Sequence, residues 1–134
     1  MNKSILAGVV GTAIMTMVML VAPMMGMPKM SPPEMLSGMM KMPVAVGWLM
    51  HFMIGIVFAL AYTKLFAPRV KIGNLWAKGA VFGLAAFVFA QIMMAIMGMM
   101  MPMPPMEGSM AMMMVGSILG HVIFGMAVSQ VACQ

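Results

Sequence analysis

Four apolar runs of about twenty residues limit what this chain can fold into. They cover about 4–25, 43–66, 78–100 and 109–132, and none has a charged residue in its interior. At roughly 1.5 Å per residue, a helix of this length crosses a hydrocarbon core of about 30 Å. Only 7% of the 134 residues are charged, so the chain lacks the polar surface of a soluble domain. The sequence therefore predicts an all-α integral membrane protein built as a four-helix bundle.

The chain contains an internal repeat. Shifting it by 72 places Gly11 on Gly83 and Pro32-Pro33 on Pro104-Pro105, and shifting it by 70 places "LMHFMIG" on "LGHVIFG". Two spans return the chain to its starting side, so the halves share one orientation and are related by a pseudo-two-fold axis along the membrane normal. We expect a single domain over 1–134, made of two tandem two-helix repeats at about 1–66 and 76–134.

Basic residues are concentrated between the second and third spans, at Lys64, Arg69, Lys71 and Lys78. By the positive-inside rule, this connection and both termini are cytoplasmic, and the two other connections lie outside. The position of these residues explains the net charge of +5 without a nucleic-acid partner. The expected partner is the lipid bilayer, together with further copies of the chain or a larger membrane complex.

Methionine is concentrated in the two outer connections. Twenty of the 27 methionines lie in 24–42 and 93–114, and "MGMMMPMPPMEGSMAMMM" alone contains ten. Thioethers and imidazoles suit Cu(I), whereas hard cations prefer oxygen ligands. The candidate thioether ligands are Met27, Met30, Met97 and Met101, of which the last two are four apart and share a helix face. The alternative is that methionine serves only as an adaptable apolar side chain.

Prolines recur in both outer connections. They are found at positions 28, 32, 33 and 43 in the first, and at 102, 104 and 105 in the second. Because the proline ring removes an N–H and clashes with the preceding turn, we expect these residues to stop helices.

His51 and His121 are the only ionisable groups inside the spans, and they occupy matching positions in the two repeats. Gly47 and Gly55 flank His51 at a spacing of four, and Gly125 follows His121 at the same spacing, so each histidine shares a helix face with small residues. Such faces let helices approach closely in membranes, and polar groups there usually face the bundle interior. We expect both imidazoles to point towards the pseudo-axis, below the methionine-rich connections.

Three hypotheses follow for the function. In the leading one, a non-enzymatic protein collects Cu(I) on outer methionines and holds it at His51 and His121. In the second, the same histidines are axial ligands of haem b, and Gly47, Gly55 and Gly125 leave room for the macrocycle. In the third, the histidines only hydrogen-bond neighbouring helices, and the protein is an accessory subunit of a larger complex. An enzyme is not expected, because there is no acid–base pair, partnered nucleophile, phosphate loop or zinc spacing.

The stretches "GTAIMTMVMLVAPMMGMPKMSPPEML" and "VGWLMHFMIGIVFALAY" resemble a family of small four-span bacterial membrane proteins of unknown function. The resemblance covers nearly the whole chain. It implies a multi-pass protein of the bacterial inner membrane, and it brings no established activity or ligand.

Overall fold

A computed structural model describes residues 2–103 and 105–133, and this part of the chain contains five helices and no strand. The helices are α1 (Asn2–Val21), α2 (Pro32–Met40), α3 (Val44–Ala61), α4 (Leu75–Met100) and α5 (Met110–Ala132). Four helical stretches are long and apolar enough to cross a membrane: Asn2–Met25, Val44–Arg69, Leu75–Met100 and Met110–Ala132. These bounds differ from the predicted spans by three residues or fewer, and the predicted all-α membrane architecture is confirmed.

Two of the spans extend beyond their regular α-helices. A 3₁₀ turn over Ala22–Met25 prolongs α1, and a π-helical turn over Tyr62–Phe66 followed by the short helical segment Ala67–Arg69 prolongs α3. The next helix, α4, begins after Asn74, whose side chain accepts hydrogen bonds from the Trp76 N–H (2.9 Å) and the Ala77 N–H (3.4 Å). These bonds satisfy N–H groups that have no partner within the helix.

The two ends of the bundle differ in chemistry. Ser4 at the start of α1 bonds Thr63 in the π-helical turn after α3 (Oγ to Oγ1, 2.9 Å). Ser129 near the end of α5 donates to the Leu75 carbonyl at the start of α4 (2.9 Å). We call this the basic end, because it carries the connection with Lys64, Arg69, Lys71 and Lys78. The opposite end, which carries the two methionine-rich connections, is the Met-rich end.

The first connection at the Met-rich end contains a helix that the proline pattern did not predict. Pro32 and Pro33 were expected to stop a helix, but they form the first turn of α2. A proline is tolerated there because the first N–H groups of a helix have no intrahelical partner. Pro33 is buried, and its carbonyl oxygen packs directly on Gly47, so α2 lies on the start of α3. Pro104, which the repeat aligns with Pro32, lies outside the described residues.

The two membrane hairpins, α1 with α3 and α4 with α5, cross at matching glycines. A Cβ built on Gly8 would lie 2.9 Å from the Gly55 carbonyl oxygen, and a Cβ built on Gly79 would lie 2.6 Å from the Gly125 carbonyl oxygen. Only glycine allows backbones to approach this closely. These contacts make Gly8 and Gly79 equivalent residues of the two hairpins, at a shift of 71 residues. The repeat in the sequence was aligned at a shift of 72 in this part of the chain.

The hairpins join through α1 and α5. Gly11 of α1 lies against Val128 and Phe124 of α5, at 2.9 and 3.0 Å from a built Cβ. The helix order across the bundle is therefore α3, α1, α5, α4, and the rings of Phe58 and Phe89 bridge α3 and α4. One buried core extends along the bundle, from Tyr62 and Phe82 towards the basic end to Met15 and Met19 towards the Met-rich end.

Candidate metal centre

Four methionine side chains cover α5 near the Met-rich end, where α5 has glycines instead of side chains. A Cβ built on Gly116 would lie 3.1 Å from both the Met27 methyl carbon and the Met30 sulfur. On Gly120 it would lie 2.6 Å from the methyl carbon of Met19 and 3.3 Å from that of Met15. We call Met15, Met19, Met27 and Met30 the thioether cluster. The cluster occupies the space that a missing pair of side chains leaves on α5.

A cavity of about 30 Å³ lies at this cluster, and the described residues around it are Val18, Met19, Ala22, Met27, Pro28, Met30, Gly116 and Leu119. Its volume is enough for one or two water-sized occupants. Three of the lining side chains are thioethers, and none is acidic or basic. The second connection reaches this region as well, since a Cβ on Gly108 would lie 2.8 Å from Pro28 Cβ. The cavity therefore offers a small occupant soft, neutral sulfur atoms and no charge.

The structure brings together only two of the four methionines that the sequence predicted as ligands. Met27 and Met30 line the cavity. Met97 and Met101 lie where α4 ends, joined by a hydrogen bond from the Met101 N–H to the Met97 carbonyl oxygen (2.8 Å), and they are not among the described lining residues. Met101 is exposed. Four-residue spacing placed this pair on one face, and the structure places it at the Met-rich end of α4.

Met15 and Met19 were missed by the sequence reasoning. Both are buried in α1, within a span where methionine is indistinguishable from any other apolar side chain. The available signal was their spacing of four, which matches the spacing of Gly116 and Gly120 on α5.

His51 is buried against α1. Its Nε2 lies 3.1 Å from the Thr16 hydroxyl oxygen, and that hydroxyl donates its only proton to the Thr12 carbonyl oxygen (2.7 Å). His51 Nε2–H must therefore be the donor to Thr16. In a neutral imidazole this leaves Nδ1 as the nitrogen with a free lone pair.

His121 makes a different set of contacts. Its Nδ1 lies 2.8 Å from the Ser117 carbonyl oxygen, and because a carbonyl only accepts, Nδ1 carries the proton. The ring packs edge-on against Phe87 of α4, with centroids 5.9 Å apart. Nε2 is then the nitrogen with the lone pair. His121 follows Gly116 by five residues, so it lies about 7.5 Å deeper along α5 than the top of the thioether cluster.

The two imidazoles occupy equivalent places without sharing a contact. Thr16 follows Gly8 by eight residues and Phe87 follows Gly79 by eight, so the repeat places a hydroxyl beside His51 and an aromatic ring beside His121. One ring is held by α1 and the other packs on α4, so the expected convergence on the pseudo-axis does not extend to ring contact.

The glycines beside the histidines are used for helix packing. The Pro33 carbonyl oxygen packs on Gly47, the Thr12 hydroxyl on Gly55, and the Gly79 carbonyl oxygen on Gly125. The haem hypothesis expected these positions to leave room for a macrocycle. That room is filled by neighbouring helices, so a planar ring there would require the helices to separate.

No group of three or more His, Cys, Asp or Glu side chains within residues 2–103 and 105–133 converges as a metal site. A metal centre in this part of the chain would therefore combine at most two of these side chains with other donors, such as thioethers.

The model of a family of unknown function, DUF6789, matches residues 1–133. No curated protein and no solved structure matches the chain.

Proposed function

Because the chain belongs to DUF6789, a family of unknown function, we propose a function from the geometry alone: a non-enzymatic membrane protein that binds and relays Cu(I). The binding site is the cavity of the thioether cluster. With the basic end on the cytoplasmic side, as the positive-inside rule indicates, this cavity faces the outside of a bacterial inner membrane.

The observation that carries the proposal is that Met19, Met27 and Met30 share one cavity of about 30 Å³. Cu(I) is a soft ion that prefers sulfur donors, and thioethers bind it without the cost of placing a negative charge in an apolar site. Hard cations such as Mg²⁺ and Ca²⁺ need oxygen ligands, and the described lining supplies no carboxylate. The donor set therefore favours a soft monovalent ion.

In the proposed relay, the histidines provide the second binding site for the ion. His121 lies about one and a half turns beyond Gly116 on α5, the helix that the cluster covers, and its Nε2 has a free lone pair. His51 lies across α1 and has Nδ1 free. Imidazole nitrogen is a suitable ligand for copper, so an ion leaving the thioethers meets a nitrogen donor next. The filled space at Gly47, Gly55 and Gly125 supports an ion over a haem.

The test is copper stoichiometry under anaerobic conditions. The purified protein is loaded with Cu(I), desalted and measured by elemental analysis beside the variant Met19→Leu/Met27→Leu/Met30→Leu. Leucine conserves volume, so this variant is expected to fold. The matched control is Met24→Leu/Met25→Leu/Met99→Leu, because these three side chains are 81–88% exposed at the same end of the bundle.

We expect stoichiometric copper in the wild type and the control, and little in the cluster variant. The variant His51→Ala/His121→Ala tests the second binding site separately. We expect this variant to lose part of the copper while the thioether cluster retains the rest. Equal copper in wild type and cluster variant would show that the thioethers only fill space above Gly116 and Gly120.

A further inference from the structure

An apolar groove of about 560 Å³ lies between α3 and α4. Its walls include Val57 and Phe58 on α3 and Ala85 and Phe89 on α4, and Phe66 and Phe82 lie at its end towards the basic connection. Several of these side chains are exposed, Val57 at 63% and Phe89 at 53%. In a bilayer the groove opens sideways to lipid.

The pseudo-symmetry of the bundle explains why the interface between α3 and α4 is open. The two-fold axis that relates the hairpins exchanges α1 with α4 and α3 with α5. The closed interface between α1 and α5 therefore corresponds to the interface between α4 and α3. When Gly8 is aligned with Gly79, Gly11 of the closed interface aligns with Phe82 of the open one. A Cβ built on Gly11 would lie only 2.9 Å from Val128 Cγ2, so this close packing of α1 on α5 needs glycine, whereas the equivalent position between α3 and α4 carries the ring of Phe82. Of the two equivalent interfaces, the one between α3 and α4 is therefore held apart.

The shape of the groove suits a hydrocarbon chain better than a helix. Two aromatic pairs bridge it: Phe58 and Phe89 with ring centroids 5.6 Å apart, and Phe66 and Phe82 with centroids 5.2 Å apart. A helix needs about 8–10 Å between its axis and that of each neighbour, so it cannot enter a groove closed by these rings. A flexible alkyl chain can lie between and over them.

The end of the groove at Phe66 and Phe82 is positively charged. Lys78 lies one helical turn before Phe82, and its ammonium donates to the carbonyl oxygen of Ala67, the residue after Phe66 (2.8 Å). Lys64, Arg69 and Lys71 are exposed around it. The only acidic residues of the chain, Glu34 and Glu107, belong to the methionine-rich connections at the other end. Cations placed where the bundle meets the polar surface of a bilayer attract phosphate groups.

We infer that the groove between α3 and α4, together with the basic connection at its end, binds one anionic phospholipid. An acyl chain lies along the groove between the two helices, and the phosphate contacts Lys78 and Lys71. The phosphate-binding end of this site lies at the opposite end of the bundle from the thioether cluster, and the site does not depend on the protein's binding a metal.

Native mass spectrometry tests the inference. The full chain is reconstituted in bilayers of equal parts phosphatidylglycerol and phosphatidylcholine with identical acyl chains, and the lipid that remains bound after release is identified. We expect one retained lipid with a strong preference for phosphatidylglycerol. In Lys71→Gln/Lys78→Gln that preference should fall roughly 25-fold, at about fivefold per charge. The control Lys29→Gln/Lys41→Gln removes two charges at the Met-rich end and should leave it unchanged.

A second pair of variants tests the groove itself. Ala85→Phe fills it and should abolish retention of either lipid, whereas Val88→Phe, on an exposed face of α4 outside the groove lining, should not. Circular dichroism confirms that both variants fold. Retention without a headgroup preference, or equal retention in Ala85→Phe, would overturn the inference. If Ala85→Phe breaks up a dimer, the groove is an interface with a second copy of the chain. If a long isoprenyl phosphate displaces the bound phospholipid, the groove is a site for that lipid. Either result would also overturn the inference.

Discussion

Replacing Gly125 by alanine tests the glycine crossing on which the architecture rests. The added Cβ would overlap the Gly79 carbonyl oxygen and lie 2.6 Å from Gly83 N and 2.8 Å from Gly83 Cα. All three atoms belong to the backbone of α4, so no side-chain rotation can relieve the contact. Overpacking of this kind costs about 3 kcal/mol at the upper end of its usual range. Alanine offsets about 1 kcal/mol through its higher helix propensity. The net loss of about 2 kcal/mol lowers the ratio of folded to unfolded protein roughly 30-fold.

The assay is equilibrium unfolding in mixed detergent micelles, followed by circular dichroism. The matched control is Gly98→Ala in α4, where the added Cβ would meet only the flexible Met103 side chain at 3.3 and 3.5 Å. Gly98→Ala has the same propensity gain without the backbone clash, so its stability should equal or exceed that of the wild type. Gly55→Ala should fall between the two, because the nearest atom there is the Thr12 hydroxyl oxygen, which can rotate away. Equal stability of Gly125→Ala and Gly98→Ala would refute the close crossing.

Three further substitutions can be measured by the same unfolding titration. Thr16→Val removes the acceptor for the His51 Nε2–H and should lower the free energy of unfolding by about 1 kcal/mol, and an unchanged value would contradict the hydrogen bond. Tyr62→Phe should raise that free energy by about 1 kcal/mol, because the Tyr62 hydroxyl is buried without a hydrogen-bond partner among the described residues, and a loss of stability would show that it has one. Asn74→Ala should lower it by about 1 kcal/mol through loss of the α4 cap, and Asn74→Ser should restore most of the loss.

The membrane helices were predictable because the bilayer constrains the sequence directly. A span needs about twenty apolar residues, and connections that carry basic residues or prolines separate one run from the next. The bounds of the second and third spans, Val44–Arg69 and Leu75–Met100, consequently lie within three residues of those expected from composition. The helix α2 was missed because Pro32 and Pro33 have opposite effects at the start and in the interior of a helix. The sequence alone does not show which position they occupy.

The candidate site was predicted in part. Met27 and Met30 stood out because they lie in a connection where an apolar residue is unexpected. Met15 and Met19 lie inside a span, and their relevance appears only when α1 is packed against the glycines of α5. Met97 and Met101 share a face of α4, but four-residue periodicity does not say which neighbour that face meets.

The open groove shows how one side chain changes a repeated architecture. The repeat predicts two equivalent helix interfaces. The interface between α1 and α5, which contains Gly11, is closed, and the interface between α3 and α4, which contains Phe82, is open. The alignment at a shift of 72 paired Gly11 with Gly83, so the difference could not be seen. The close contacts of Gly8 and Gly79 were needed to fix the register.

The central claim, that the thioether cluster binds Cu(I), is tested most directly by copper K-edge X-ray absorption on the copper-loaded protein. We expect sulfur scattering to dominate the nearest neighbours of the copper, and to disappear in Met19→Leu/Met27→Leu/Met30→Leu while it persists in Met24→Leu/Met25→Leu/Met99→Leu. A spectrum with only nitrogen and oxygen neighbours, or a sulfur signal that survives loss of the three cluster methionines, would contradict the claim.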